Sequence, residues 1–219
     1  MDYQGKTIFI LQHGQLAESV HPRFRPEYPI RGDPALTELG ILQSDRSSQL
    51  LSHLIPAGKS VKIITSPYLA CIQTAIPLSS QFNKPLIIDW GFGDFLNPIH
   101  FSSAPTELTY ATEWFSSKFN VQYTESLTPK PTFPETYEVM ESRTNSSFIN
   151  HINSLEEDVI IIVTHFFGLE AITGFMKNTT FRIVHEGHCA ITISELKDGK
   201  YTVRVAADYS HAPQYIKNN

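Results

Sequence analysis

The sequence predicts an α/β fold built on a mostly parallel central sheet with helices on both faces, and three observations lead there. Residues 7–11 and 159–163 are continuous apolar runs, Ile8-Phe9-Ile10-Leu11 and Val159-Ile160-Ile161-Ile162-Val163, the pattern of strands buried on both faces. Strand-like and helix-like segments alternate along most of the chain, with no linker rich in Ser or Gly and no internal repeat. Both apolar runs end in a histidine, in Gln12-His13-Gly14 and in Thr164-His165. Ligands of open α/β sheets bind beyond the carboxyl ends of the strands, so these two side chains are candidates for one shared site.

Taken in order, the strand at 7–11 is followed by a polar, Pro-rich stretch from Glu18 to Pro34. A helix opens at Leu36 to Gly40, with Thr37 as N-cap, carries Leu39, Leu42, Leu50, Leu51 and Leu54 along one side, and ends before Pro56. Val61–Thr65 is a strand that exits through Ser66-Pro67 into a helix containing Cys71 to Ala75; Pro67 is expected at its first position, with Thr65 and Ser66 capping it. Leu86-Ile87-Ile88 is a short strand leading to a sharp turn at Trp90-Gly91-Phe92-Gly93-Asp94-Phe95. The aromatic, Pro-rich segment around 97–134, helical near Leu108 to Phe119, is expected to be a cap or lid. A helix over Glu135 to Leu155, the strand at 159–163 and a helix from Gly168 to Met176 follow. Strands at Ala190 to Leu196 and Tyr201 to Ala206 form a hairpin through Asp198-Gly199. The whole of residues 1–219 therefore reads as a single domain carrying one insertion.

Composition narrows the function classes. The chain has 219 residues, 41% hydrophobic and 18% charged, enough for one sizeable core. Lys plus Arg number 17 against 22 Asp plus Glu, so a formal charge of −5 gives no general attraction to nucleic acid or anionic lipid. No segment has the apolar length of a membrane span, and the N-terminal residues lack a secretory pattern, so an intracellular location, cytoplasmic or nuclear, is expected. Cys71 and Cys189 fit neither a redox pair nor a zinc site and read as buried apolar residues. No cofactor or metal is indicated: there is no Walker loop, dinucleotide fingerprint or metal-ligand spacing.

Four blocks carry a resemblance: Gln12-His13-Gly14-Gln15 after a strand, Asp33 to Gly40, Thr65-Ser66-Pro67-Tyr68-Leu69-Ala70-Cys71 to Ala75, and Val163-Thr164-His165. In order and spacing they resemble the histidine phosphatase, or phosphoglycerate mutase-like, superfamily. Trp90 to Phe95, Phe133 to Tyr137 and Ser142-Arg143 are similar to the branch of the Sts-type phosphatase domains and of a yeast transcription factor IIIC subunit. The resemblance implies a phosphoglycerate mutase-like sandwich. It also implies a chemistry in which a histidine takes the phosphoryl group, a second histidine and several arginines hold its oxygens, and a carboxylic acid protonates the leaving group.

Carried over by position, His13 corresponds to the nucleophile, His165 to the second histidine and Asp94 to the acid, where the Sts-type branch has glutamate. An Asp between Gly93 and Phe95 is more often a turn residue than an acid catalyst. The cations are missing: Gln12 and Ala70 stand where the family has arginine, as does Leu16 relative to the Sts-type domains, in a pocket that also includes Gly14. Arg23, Arg25 and Arg31 are candidates to compensate by folding back from the loop after the first strand. The expected function is a pseudophosphatase that binds a protein partner, or a phosphorylated ligand or phosphate. A weakly active phosphomonoesterase and a scaffold subunit of a larger complex are the alternatives.

Overall fold

The computed structural model describes residues 5–20, 32–99, 101–105, 107–126, 128–183 and 187–214. Seven strands form one sheet: β1 (Lys6–Gln12), β2 (Val61–Thr65), β3 (Leu86–Ile88), β4 (Tyr123–Glu125), β5 (Val159–Thr164), β6 (Ile191–Lys197) and β7 (Lys200–Asp208), in the order β4-β3-β2-β5-β1-β6-β7. The β1/β5, β5/β2, β2/β3 and β3/β4 pairs are parallel, and β6 and β7 add antiparallel on the other side of β1. Among the described residues the helices are α1 (Ala17–Val20), α2 (Glu38–Leu54), α3 (Leu69–Phe82), α4 (Glu113–Lys118), α5 (Tyr137–Ser154) and α6 (Phe166–Lys177).

Alternation along the buried strands makes the sandwich, because successive side chains leave a strand on opposite faces. Phe9, Leu11, Ile63, Ile161 and Val163 pack with Leu51 of α2 and with Leu69, Ile72 and Leu78 of α3. Ile8, Ile10, Ile64, Ile160 and Ile162 pack on the other face with Phe148 and Ile152 of α5 and Leu169, Ile172 and Met176 of α6. Both faces of β1 and β5 are thus covered, as their unbroken apolar runs require.

Thr37 caps α2 by accepting the Gly40 N–H, as expected. The β6–β7 turn holds Asp198 and Gly199 at φ 52° and 72°, the left-handed conformation that an Asp-Gly hairpin uses. Pro67, expected inside the first turn of α3, lies before it: the helix begins at Leu69, and Tyr68 is its N-cap without a side-chain cap bond. The Leu69 N–H is instead accepted by Asp33 Oδ1 at 2.6 Å. The segment around 97–134 contributes α4 and also β4, which pairs with β3, so part of it belongs to the main sheet. Among the described residues no helix is long and apolar enough to cross a membrane.

Candidate active site

Strand register brings the candidate residues together. In the parallel ladder Gln12 pairs with Thr164 and Thr65 with Val163, so His13, His165 and Ser66 leave the same edge from neighbouring strands. The His13 N–H is donated to the Thr164 carbonyl at 3.1 Å and the Ser66 N–H to the Val163 carbonyl at 2.9 Å. The two imidazole centroids are 5.2 Å apart, edge to face. A cavity of about 320 Å³ opens over them, lined by His13, Leu16, Glu18, Ser19, Gly32, Pro34, Tyr68, Ala70, Asp94, Phe101 and His165.

His13 has a fixed tautomer. Its Nδ1 lies 2.8 Å from the Gly14 carbonyl, which only accepts, so Nδ1 carries the proton and Nε2 presents its lone pair. Gly14 holds that carbonyl in place through a close backbone approach: a Cβ there would sit 2.6 Å from the Gly40 carbonyl oxygen. Its N–H is donated to Thr74 Oγ1 of α3 at 3.1 Å. Glycine is therefore required by packing between the loop and α2.

His165 is oriented by Ser66, whose Oγ is 2.8 Å from Nε2, and Asp94 Oδ2 lies 3.5 Å from Nδ1. No hydrogen bond forms at Nδ1 among the described residues, although the carboxylate is close enough to bias a proton there. Ser66 thus holds a histidine, and its contact to the Tyr68 N–H is a long 3.4 Å, which corrects the expected helix-capping role. The Ser-His-Asp order has the topology of a nucleophilic triad, but Ser66 is fully buried and does not line the cavity. It serves as a support.

Burial dominates the electrostatics of the histidines. Loss of solvent, then the neighbouring His165, pushes the His13 pKa well below 6.5. Burial, then the Arg143 charge, does the same to His165. Both rings are neutral near pH 7. The buried Cys71 thiol, 3.5 Å from His165 Nε2, is pushed far up by burial and stays protonated.

Arg143 lies outside this cavity wall. Its Nε and Nη2 donate to the two Glu135 oxygens at 2.9 Å each, and Nη1 and Nη2 also donate to the carbonyls of Trp90, Gly91, Gly93 and Asp94 at 2.8–3.3 Å. Its guanidinium is spent on shaping the loop that delivers Asp94. The Asp89 carboxylate fastens the start of that loop. Burial opposes its ionisation, but hydrogen bonds from His151 at 2.5 Å and from the Gly91 N–H outweigh burial and hold its pKa below the usual range.

Leu16, Ala70, Asp94, His13 and His165 all line the cavity, whereas Gln12 and Gly14 do not. Gln12, the last residue of β1, is buried, with Oε1 unpartnered among the described residues. Arg23, Arg25 and Arg31 lie outside the described residues. Three supporting residues have no legible sequence signal for their roles: Asp33, Arg143 and Ser66. Asp33 accepts both the Leu69 N–H and the Thr109 N–H, at 2.6 and 2.8 Å, and so ties α3 to the segment after Asn97.

The structure is an α/β sandwich in which two histidines converge at adjacent parallel strand ends. The sequence model of the histidine phosphatase superfamily, branch 1, matches residues 8–208, and the chain belongs to that superfamily. Among curated proteins it is similar to the transcription factor tau 55 kDa subunit of Saccharomyces cerevisiae, with 25% identity over 170 residues that cover 73% of this chain. The match spans 38% of that subunit's length. Among solved structures it is similar to the ecdysone phosphate phosphatase of Bombix mori in complex with tungstate, with a TM-score of 0.69, 15% identity and coverage of 98% of this chain and 96% of that one. Bacillus stearothermophilus YhfR gives a TM-score of 0.63 with 21% identity, covering 94% of this chain and 98% of that one. These structural likenesses establish the fold.

Proposed function

We propose that this chain is a pseudophosphatase: a histidine phosphatase fold whose pocket lacks cations among the described residues and which acts by binding. The observation that carries this reading is the cavity wall itself. Among its described residues are Glu18 and Asp94 but no lysine or arginine, and Leu16 and Ala70 supply carbon where the resemblance implies guanidinium groups. A charge-assisted hydrogen bond to the phosphoryl group is worth about 1.5–3 kcal/mol, so the absence of several would slow phosphoryl transfer by orders of magnitude. His13, His165 and Asp94 are on this reading inherited catalytic positions. The part of the 97–134 segment that bears Phe101 is proposed as a cap over them, on a single domain.

Hydrolysis of an aryl phosphate, measured from acid to neutral pH beside His13→Ala, tests this. No His13-dependent turnover is expected; clear turnover abolished by His13→Ala would overturn the reading.

A second reading, a working phosphomonoesterase, is favoured by one observation: Glu18, Ser19, Gly32 and Pro34, which flank residues 21–31, all line the cavity. Arg23, Arg25 and Arg31 belong to that stretch of the sequence and lie outside the described residues. If they supply the missing cations, the triple change to alanine abolishes turnover that the parent shows.

The name of the yeast relative supports a third element, that partner binding takes place within a larger, nuclear assembly. Co-purification of the full chain with stoichiometric subunits would support it, and a chain that behaves as a monomer in cell extracts would overturn it.

A further inference from the structure

A second cavity, of about 510 Å³, opens between α5 and the segment at 126–129 and shares no lining residue with the cavity over His13 and His165. One wall is a face of α5: Arg143, Ser146, Ser147, Asn150, His151 and Ser154 follow the three- and four-residue spacing that brings side chains to one side of a helix. Ser126, Thr128 and Pro129 form the facing wall. Asp89 ties the two walls together, accepting from His151 at 2.5 Å and from the Thr128 hydroxyl.

The charged groups of this cavity are paired within the protein. Arg143 donates to Glu135 and to four backbone carbonyls, and Asp89 accepts from His151, Thr128 and the Gly91 N–H. An ionic ligand would give up its hydration for a wall whose charges already have partners. The cavity offers hydroxyl and amide groups instead. Ser146, Asn150 and Ser154 are exposed. Ser147 lies deeper, only 4% exposed, and its hydroxyl forms no hydrogen bond among the described residues. A Cβ on Gly91 would overlap Ser147 Oγ, so the glycine leaves that hydroxyl its room. A buried hydroxyl lacking a partner favours a ligand that supplies one.

A wholly apolar molecule would strip water from these side chains and leave them unpaired. A molecule with several uncharged hydroxyls fits them, because each of its hydroxyls both donates and accepts, as serine and threonine do, while its ring carbons can lie on Pro129. The volume falls within the roughly 300–1,000 Å³ of small-molecule sites.

We propose that this cavity is a binding site for an uncharged polyhydroxylated molecule, a sugar or cyclic polyol of about one or two rings. The site is separate from the inherited active site and stands on its own residues, whether or not phosphate esters are turned over.

Glucose, maltose and myo-inositol are titrated against the full chain by calorimetry, with glucose 6-phosphate as the charged comparison and backbone amides followed by NMR. At least one uncharged probe is expected to bind with a Kd of about 1 mM or tighter and to shift the amides of Ser147, Asn150 and His151 while leaving that of His13 unmoved. Glucose 6-phosphate, followed at the same amides, is expected to bind at least about tenfold more weakly. Ser146→Leu and Asn150→Leu fill the cavity with carbon from exposed positions, and each is expected to weaken binding by about tenfold or more. No binding by any of the three uncharged probes, shifts confined to the His13 cavity, or full-strength binding in either leucine variant overturns the inference. Tighter binding of glucose 6-phosphate at the α5 amides overturns the uncharged class of ligand.

Discussion

Glu135 holds Arg143 through two hydrogen bonds of 2.9 Å, and the same guanidinium gathers the carbonyls of Trp90, Gly91, Gly93 and Asp94. The pair is almost enclosed, with side chains 11% and 1% exposed. Its role is to set the position of Asp94 against His165 from outside the cavity. Arg143→Ala leaves the Glu135 carboxylate buried and uncompensated and four carbonyls without their shared donor. A destabilisation of about 3–5 kcal/mol is expected in urea unfolding. Arg143→Lys recovers part of it, because one ammonium cannot reproduce the planar fork. An unchanged midpoint for Arg143→Ala would show that the loop stands without it.

The buried histidines make the fold sensitive to acid. His13 and His165 have folded pKa values below 6.5, about 4 for His13, so at lower pH the unfolded chain binds protons that the folded one refuses. Their neutral forms cost nothing above pH 6.5, and stability falls as the pH drops from there through the folded values. The loss approaches about 1.4 kcal/mol per pH unit for each histidine. Denaturant midpoints measured from pH 7 to 5 should fall, and less steeply in His13→Gln. NMR titration that finds the His13 ring charged at pH 6 would contradict this.

Gly14 is a packing glycine with a functional consequence. A methyl group there would meet the Gly40 carbonyl oxygen at 2.6 Å and displace the carbonyl that holds the His13 proton on Nδ1. Gly14→Ala is expected to cost about 1–3 kcal/mol. It should also mix the His13 tautomers, visible in the imidazole nitrogen shifts. A variant with native stability and an unaltered tautomer would show that α2 yields easily.

Restoring a cation to the cavity tests what the fold still permits. Ala70 lines the pocket, so Ala70→Arg places a guanidinium on the wall, whereas Gln12 is buried and is not among the lining residues. Ala70→Arg is expected to raise affinity for inorganic phosphate about tenfold or more, the worth of one charge-assisted hydrogen bond. Gln12→Arg alone is expected to destabilise the chain, and the double variant to need Ala70→Arg for any gain. Phosphate affinity that Gln12→Arg improves by itself would show that this side chain reaches the site.

Much of the architecture is legible because it follows from one-dimensional pattern. The runs at 7–11 and 159–163 are apolar at every position but the polar Thr7, which suits a sheet covered on both faces, and the histidine after each run falls at a strand end. The cap at Thr37 and the Asp198-Gly199 turn are local chemistry within a few residues. The start of α3 departs from the expected one because its cap comes from Asp33, 36 residues away, and no local rule carries that information. The strand at Tyr123–Glu125 escapes pattern for a similar reason: it is short and exposed, and it exists through pairing with β3.

The sequence by itself determined the order of the longer strands and helices, the superfamily resemblance and the absence of arginine at positions 12, 16 and 70, since each depends on which residues are present and how they repeat. Tertiary structure decided that His13 and His165 stand 5.2 Å apart, that Ser66 and Gly14 orient them, and that Arg143 is consumed by the Asp94 loop. Those outcomes depend on strand register and on side chains far apart in the chain competing for the same donors and acceptors. Whether a cation or a carbon atom faces a ligand is settled by that competition, in three dimensions.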